Sequence, residues 1–289
     1  METAGIVEET TPSANVPKLT DSQLRDFDIE YVTPEMWERT ESWFSQAFPE
    51  GEFSFLDVGG GNGRFTDSLL ERFPKARGVL IDNGAPLLLA NKTHPRKTVI
   101  CESATNLERR FEGQEFDLIC FNWLLHHLVL RSYDATCRLQ LQTIAAARNL
   151  LSSRGKICVF EDLYEGIFLD TLPSRIIYQL TSSRILSPLI KRMGANTAGC
   201  GVCFHSLSQW DEFFREGKLA IEQFHTYEKW PVSQLRRIAL HLGSARIGQY
   251  LLAPRQSPET RLGAGTRSSS RARGAGGAAG RAHACQMTE

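Results

Sequence analysis

Between residues 53 and 160, short apolar runs take turns with segments whose apolar side chains recur at helical spacing. Residues 53–58, 78–81, 98–101, 116–121 and 156–160 are predicted strands, and residues 64–73, 85–92 and 132–151 predicted helices. Strand and helix alternating in this way imply βαβ units and a parallel sheet covered on both faces, with right-handed crossovers. Upstream, Met36, Trp37, Trp43, Phe44 and Phe48 fall at helical spacing within 34–48.

After residue 160 the pattern changes. A helical segment, SRIIYQLTSSRILSPLIKRM, and a small-residue stretch, GANTAGCGVC, lie within an insertion predicted over 165–204. Residues 206–215 read as a helix with Ser206 or Ser208 as N-cap, and 219–227 and 246–252 as two late strands. The first 20 residues and the Gly/Ala/Arg/Ser-rich stretch 254–289 bury too little apolar area to order themselves. One folded domain is therefore expected over 21–253.

The stretch FLDVGGGNGRF, at 55–65, joins the first strand to the first helix of the alternating region. Glycines there let the chain turn sharply and let a ligand approach the backbone. Amides at a helix start offer partial positive charge to a carboxylate or phosphate. A dinucleotide fingerprint needs G-x-G-x-x-G, but the sixth position is Arg64 counted from Gly59 and Thr66 counted from Gly61. The Gly-Lys-Ser/Thr of a P-loop is also missing. What stands in the chain is Asp57-x-Gly59-x-Gly61-x-Gly63.

This spacing resembles motif I of the class I S-adenosylmethionine-dependent methyltransferases, and later landmarks agree in order. GVLID, ending at Asp82, is similar to that family's second strand, whose terminal acid holds the cofactor's ribose hydroxyls. CESA, containing Ser103 and Ala104, resembles the segment flanking the adenine. FDLICFN, ending at Asn122, resembles the fourth strand, beside the methionine portion; LHHL, with His126 and His127, often follows in the small-molecule branch. GKICVF, before Glu161, is similar to the fifth strand.

The resemblance is firm over 50–161 and loose to 253, where Arg-Glu-Gly-Lys stands in place of the family's usual Ala-Gly-Phe. It implies a Rossmann-like α/β fold: a seven-stranded, mostly parallel sheet with helices on both faces and helical lid elements. It also implies S-adenosyl-L-methionine as cofactor and methyl transfer to a small organic acceptor through O, N or C.

Chemistry supports these positions without closing the alternatives. A carboxylate at Asp57 suits the cofactor's ammonium, and one at Asp82 can accept from two adjacent hydroxyls. Both acids adjoin turn-forming residues, and a purely local role is the competing reading. Asn122 can equally satisfy a loop. An acceptor hydroxyl needs a base; His126 and His127 lead, ahead of Glu161, Asp162, Tyr164 and His205. The histidine pair can instead be structural.

The aromatic N-terminal helix, with Ile176, Ile177, Tyr178, Leu180 and Leu186 of the insertion, can cover an acceptor pocket or pack on the sheet. Cys200-x-x-Cys203 with His205 has the look of a zinc cluster. No second Cys/His pair is spaced to complete it, so a glycine-rich loop and no metal are expected.

Lysine plus arginine balance aspartate plus glutamate at 33 each. From 255 onward, however, six arginines face two glutamates, leaving an acidic body ill suited to a phosphate backbone. Nucleic acid is not the expected partner. Neither is a membrane, since no run of about 18 apolar residues occurs. The N-terminus lacks the features of a signal peptide. Cys101, Cys120 and Cys158, three of seven cysteines, sit in apolar runs as buried thiols do, and a cytoplasmic location is expected. Oligomeric state is left open.

Three other classes compete. An amino-methylating nucleic-acid enzyme calls for Asn/Asp-Pro-Pro-aromatic where this chain has Asn122-Trp-Leu-Leu, and a protein-arginine enzyme for paired glutamates. A binding protein on the same fold needs none of the acids that are present. An NAD-dependent oxidoreductase needs another glycine spacing.

Overall fold

The computed structural model describes residues 16–17, 19–20, 23–24, 31–228 and 232–255. The expected disordered ends lie almost wholly outside them. The predicted strands form one seven-stranded sheet in the order β3-β2-β1-β4-β5-β7-β6. The strands are β1 Ser54–Val58, β2 Arg77–Asp82, β3 Lys97–Cys101, β4 Phe116–Asn122, β5 Leu151–Gly166, β6 Leu219–Glu228 and β7 Leu242–Pro254. Strands β1 to β5 pair in parallel, while β7 runs antiparallel to both β5 and β6.

Alternation along the central strands explains why both faces are covered. Phe55, Leu118, Cys120, Cys158 and Phe160 face one core, with Trp37, Trp43 and Phe44 of α1 (Pro34–Ala47) and Leu69 and Leu70 of α2 (Arg64–Arg72). Leu56, Ile119, Phe121, Ile157 and Val159 face the other. There they meet Leu139 and Ile144 of a long helix, Tyr133–Asn149, and Trp210 and Phe214 of a later one, Leu207–Glu216. The aromatics of α1 are therefore sheet packing. Thr33 caps this helix and proline occupies its first turn.

Several predicted boundaries move. The helix expected over 85–92 is one turn, α3 (Ala85–Leu88). Beyond it the Asn91 amide turns back to the Gly61 carbonyl at 2.7 Å, drawing the chain toward the glycine loop. After α4 (Leu107–Arg110) comes the long helix, α5 (Tyr133–Asn149), which stops where Leu151 pairs with Phe116. Strand β5 outruns its apolar core because β7 pairs with it as far as Gly166.

The helical segment after 170 splits into α6 (Leu172–Ser182) and α7 (Ser187–Arg192), the second opened by a proline. Helix α8 (Leu207–Glu216) begins at Ser206, where the Ser206 and Gln209 side chains form a reciprocal capping box. A ninth helix, α9 (Gln234–Ala239), had no counterpart in the apolar pattern. No helix among the described residues is long and apolar enough to cross a membrane.

Candidate functional site

The strand order reverses between β1 and β4, and ligands of open α/β sheets bind outside the carboxyl ends of strands at such a point. A cavity of about 1660 Å³ opens there. Asp57, Gly59, Gly61, Asp82, Asn122, His126 and His127 all line it.

The glycine loop is built by close approach. Gly59 has φ +73, and a Cβ on it would lie 2.6 Å from a Leu124 methyl. A Cβ on Gly60 would lie 2.6 Å from Asp57 Oδ2. Gly63 stands outside the cavity lining, as the left-handed N-cap residue of α2.

Asp57 is fully buried and accepts from the Thr66 hydroxyl at 2.7 Å. Burial pushes its carboxyl up to about 7, against the Thr66 bond; the neighbouring Asp82 adds to the rise and Lys97 opposes it. Asp82 accepts from the backbone N–H of Gly84 at 2.6 Å and of Gly61 at 3.0 Å. Burial raises its pKa too, and the Gly84 and Gly61 bonds pull the other way. Asn122 donates to Asp57 at 3.4 Å, which leaves its buried Oδ1 without a partner among the described residues.

His126 and Glu161 form a buried pair. Nδ1 of His126 lies 2.6 Å from Glu161 Oε2, and the His126 N–H donates to Oε1 at 3.3 Å. His126 and His127 are in ring contact at 4.2 Å, and Phe204 lies 4.5 Å from His126. Burial, with His126 as a second and like-charged titrating neighbour when protonated, holds the His127 pKa well below the usual imidazole range.

Not every expected residue reaches the cavity. Glu161 is fully buried behind His126, while Asp162 and Tyr164 of the same strand do line the wall. Ser103 caps the short 3-10 turn that follows β3, and Ala104 lines a separate recess against α5. His205 lies outside the lining, 2.6 Å from Gln140 Oε1, and burial takes its pKa down to about 3. Of the insertion, Ile177 and Leu180 of α6 do face the cavity.

Some lining residues went unread in the sequence. Trp123 takes φ +52, rare for a bulky residue, and stacks on Phe160 at 5.2 Å beside Tyr31 at 5.6 Å. Its place directly after Asn122 was the available signal. Thr66 and Asn91, which brace Asp57 and Gly61, carry no spacing signature.

Residues 55–143 match the family model described as a methyltransferase domain. The match takes in less than a third of the chain. No curated protein matches the sequence. Among solved structures, the MccD protein aligns with a TM-score of 0.51 and 13% identity over 76% of this chain and 98% of its own. That similarity speaks for the fold.

An S-adenosylmethionine-dependent methyltransferase from Leishmania major aligns at TM-score 0.47 and 16% identity, over 80% of this chain and 82% of its own. An O-methyltransferase family protein from Burkholderia thailandensis gives 0.46 and 16%, over 76% and 56%. The chain thus spans little more than half of the latter's length. Within the matched stretch lie the glycine loop, Asp82, Asn122 and both histidines; Glu161 and β5 to β7 lie beyond it.

Proposed function

We propose that the chain transfers a methyl group from S-adenosyl-L-methionine to a small organic acceptor. When bound, that cofactor supplies a methyl already activated on a sulfonium. The protein contributes alignment, exclusion of water and, for a hydroxyl acceptor, a base.

The observation carrying this reading is the unpartnered Asn122 Oδ1 beside the buried carboxyl of Asp57, at the mouth of a glycine loop with no room for a Cβ on Gly59 or Gly60. An acceptor atom and a carboxyl side by side suit an ammonium. The amides of the glycine loop suit a carboxylate. Asp82, half-buried at the end of β2, suits a diol, and accepting its hydroxyls would exchange with the bonds it now takes from Gly61 and Gly84.

Trp123, Tyr164 and Phe204 in the lining favour an apolar or aromatic acceptor over a polymer. Glu161 fixes His126 by accepting from Nδ1, which leaves Nε2 with the lone pair of a general base. Glu161 is thereby a positioning residue. His127, held neutral, is the second candidate base.

Metabolite fractions incubated with methyl-labelled cofactor test the reading. A labelled low-mass product is expected. Its formation should fall about 100-fold in His126→Ala, within the usual range for a general base, with cofactor affinity kept. Cofactor binding without any labelled product would favour a binding protein. Loss confined to His127→Ala would move the base to that residue.

A further inference from the structure

We propose that Cys137, Cys203 and His205 form a binding site for a thiophilic divalent cation of the zinc class, apart from the methyl-transfer cavity. The ligand atoms of the three lie within 4.8 Å of one another. Cys203 and His205 are fully buried, and Cys137 on α5 is half-buried, which gives an ion a way in. None of the three lines the large cavity.

The hydrogen bonds around His205 fix its tautomer. The Gln140 amide nitrogen donates to the carbonyls of Leu125 at 3.0 Å and Cys203 at 3.3 Å. Its Oε1 must then accept, so His205 Nε2, 2.6 Å away, carries the proton. Nδ1 keeps a lone pair. A histidine held by its other nitrogen in this way is the usual arrangement of a metal ligand.

Nδ1 lies 3.4 Å from Ser174 Oγ, and Ser174 Oγ lies 3.8 Å from Cys203 Sγ; that sulfur now stands 3.7 Å from the protonated Nε2 and must turn toward Nδ1 to share an ion with it. Tetrahedral zinc with ordinary Zn–S and Zn–N bonds has ligand–ligand edges of about 3.5–3.8 Å. Rotation of the two thiols toward Nδ1 would close the set, with the Ser174 hydroxyl or a water at the fourth corner. Binding forms two metal–sulfur bonds and one metal–nitrogen bond, and releases two thiol protons to solvent. Two thiolates and a neutral imidazole cancel the charge of the ion, which makes its burial tolerable.

The sequence spacing held two of these three ligands, Cys203 and His205, beside the wrong cysteine, and no metal was expected there. Cys200 lines the cavity instead, and the remaining ligand comes from Cys137, on another element. The Cys203 N–H donates to the His126 carbonyl at 2.9 Å, and the Tyr164 N–H to the His205 carbonyl at 3.0 Å. A cation would therefore fasten α5 to the wall that carries His126 and Tyr164. Its role is structural, and the site stands whether or not the methyl-transfer reading does.

The test titrates the reduced, metal-free full-length chain with Cd²⁺ and follows the thiolate-to-metal charge-transfer band, then displaces Cd²⁺ with Zn²⁺. A band that saturates at one equivalent is expected, together with a rise in Tm on adding Zn²⁺. Cys137→Ser and Cys203→Ser should lose the band, and Cys200→Ser should keep it, with circular dichroism confirming that each variant is folded. Gln140→Leu should weaken binding by roughly 10–100-fold, as loss of a ligand-orienting group does.

No band in a chain whose thiols react as free would overturn the site, and so would a band that survives Cys137→Ser. Loss of the band in folded Cys200→Ser would place the ion on Cys200 and Cys203 and overturn the assignment. A Cys137–Cys203 disulfide that persists in the absence of reductant, with no metal bound, would do the same.

Discussion

The half of the sheet built by β1 to β4 and the part after residue 160 are made by different means. In the first, three of the four strands end in a feature that lines the cavity: the glycine loop after β1, Asp82 at the end of β2, Asn122 at the end of β4. In the second, the features arise only when distant segments meet. Strand β7 inserts between β5 and β6, and the cluster around His205 draws on α5, α6 and the loop before α8. Local chemistry written as spacing can be read along a chain, whereas chemistry assembled by packing cannot.

The two regions should therefore respond differently to substitution. Trp210, fully buried in α8 and stacked on Phe214, belongs to packing. Trp210→Ala should cost about 3–5 kcal/mol of stability in denaturant unfolding, while the fraction that stays folded binds cofactor normally. Equal loss of affinity would break the distinction.

Gly60 belongs to the glycine loop that lines the cavity. Gly60→Ala sets a Cβ against Asp57 and Leu80, and overpacking of this kind costs about 1–3 kcal/mol. Here cofactor binding should vanish in chain that is still folded, as calorimetry and circular dichroism would show together.

The third contrast is one of pH. The Asp57 carboxyl is held at about 7 by burial, and an ammonium partner needs it ionised. Cofactor affinity should fall as pH drops below that value, by up to about tenfold per unit, and Asp57→Asn should flatten the dependence. In the empty chain the sign is opposite. The unfolded state gives up this proton near 3.8 and the folded state near 7, so this group's contribution to stability is lost as pH rises between them. Titration of affinity and of Tm across the same range separates the two.

Much of the fold was legible because a parallel α/β sheet repeats one local pattern. The five parallel strands, α1, α2, α5 and the Ser206 cap all lie where apolar spacing and capping residues put them. The short α3 was not legible, because Asn91 folds back on Gly61, a contact between positions far apart in sequence. Helix α9 was missed because it buries no side chain and so shows no apolar stripe. Of the site, Asp57, Gly59, Gly61, Asp82 and Asn122 converge as the glycine spacing and strand ends imply. Glu161 was legible as a strand-end acid, yet strand alternation turns it inward to His126, and Asp162 faces the cavity.

The central claim is that the glycine loop and Asp82 hold S-adenosyl-L-methionine. Calorimetric titration of the full-length chain and of Asp82→Ala tests it most directly. One binding site is predicted in the unaltered chain, weakened in the variant by about 1.5–3 kcal/mol, the range for a hydrogen bond to a charged group. Equal affinity in the two, or no binding to either, would contradict the account.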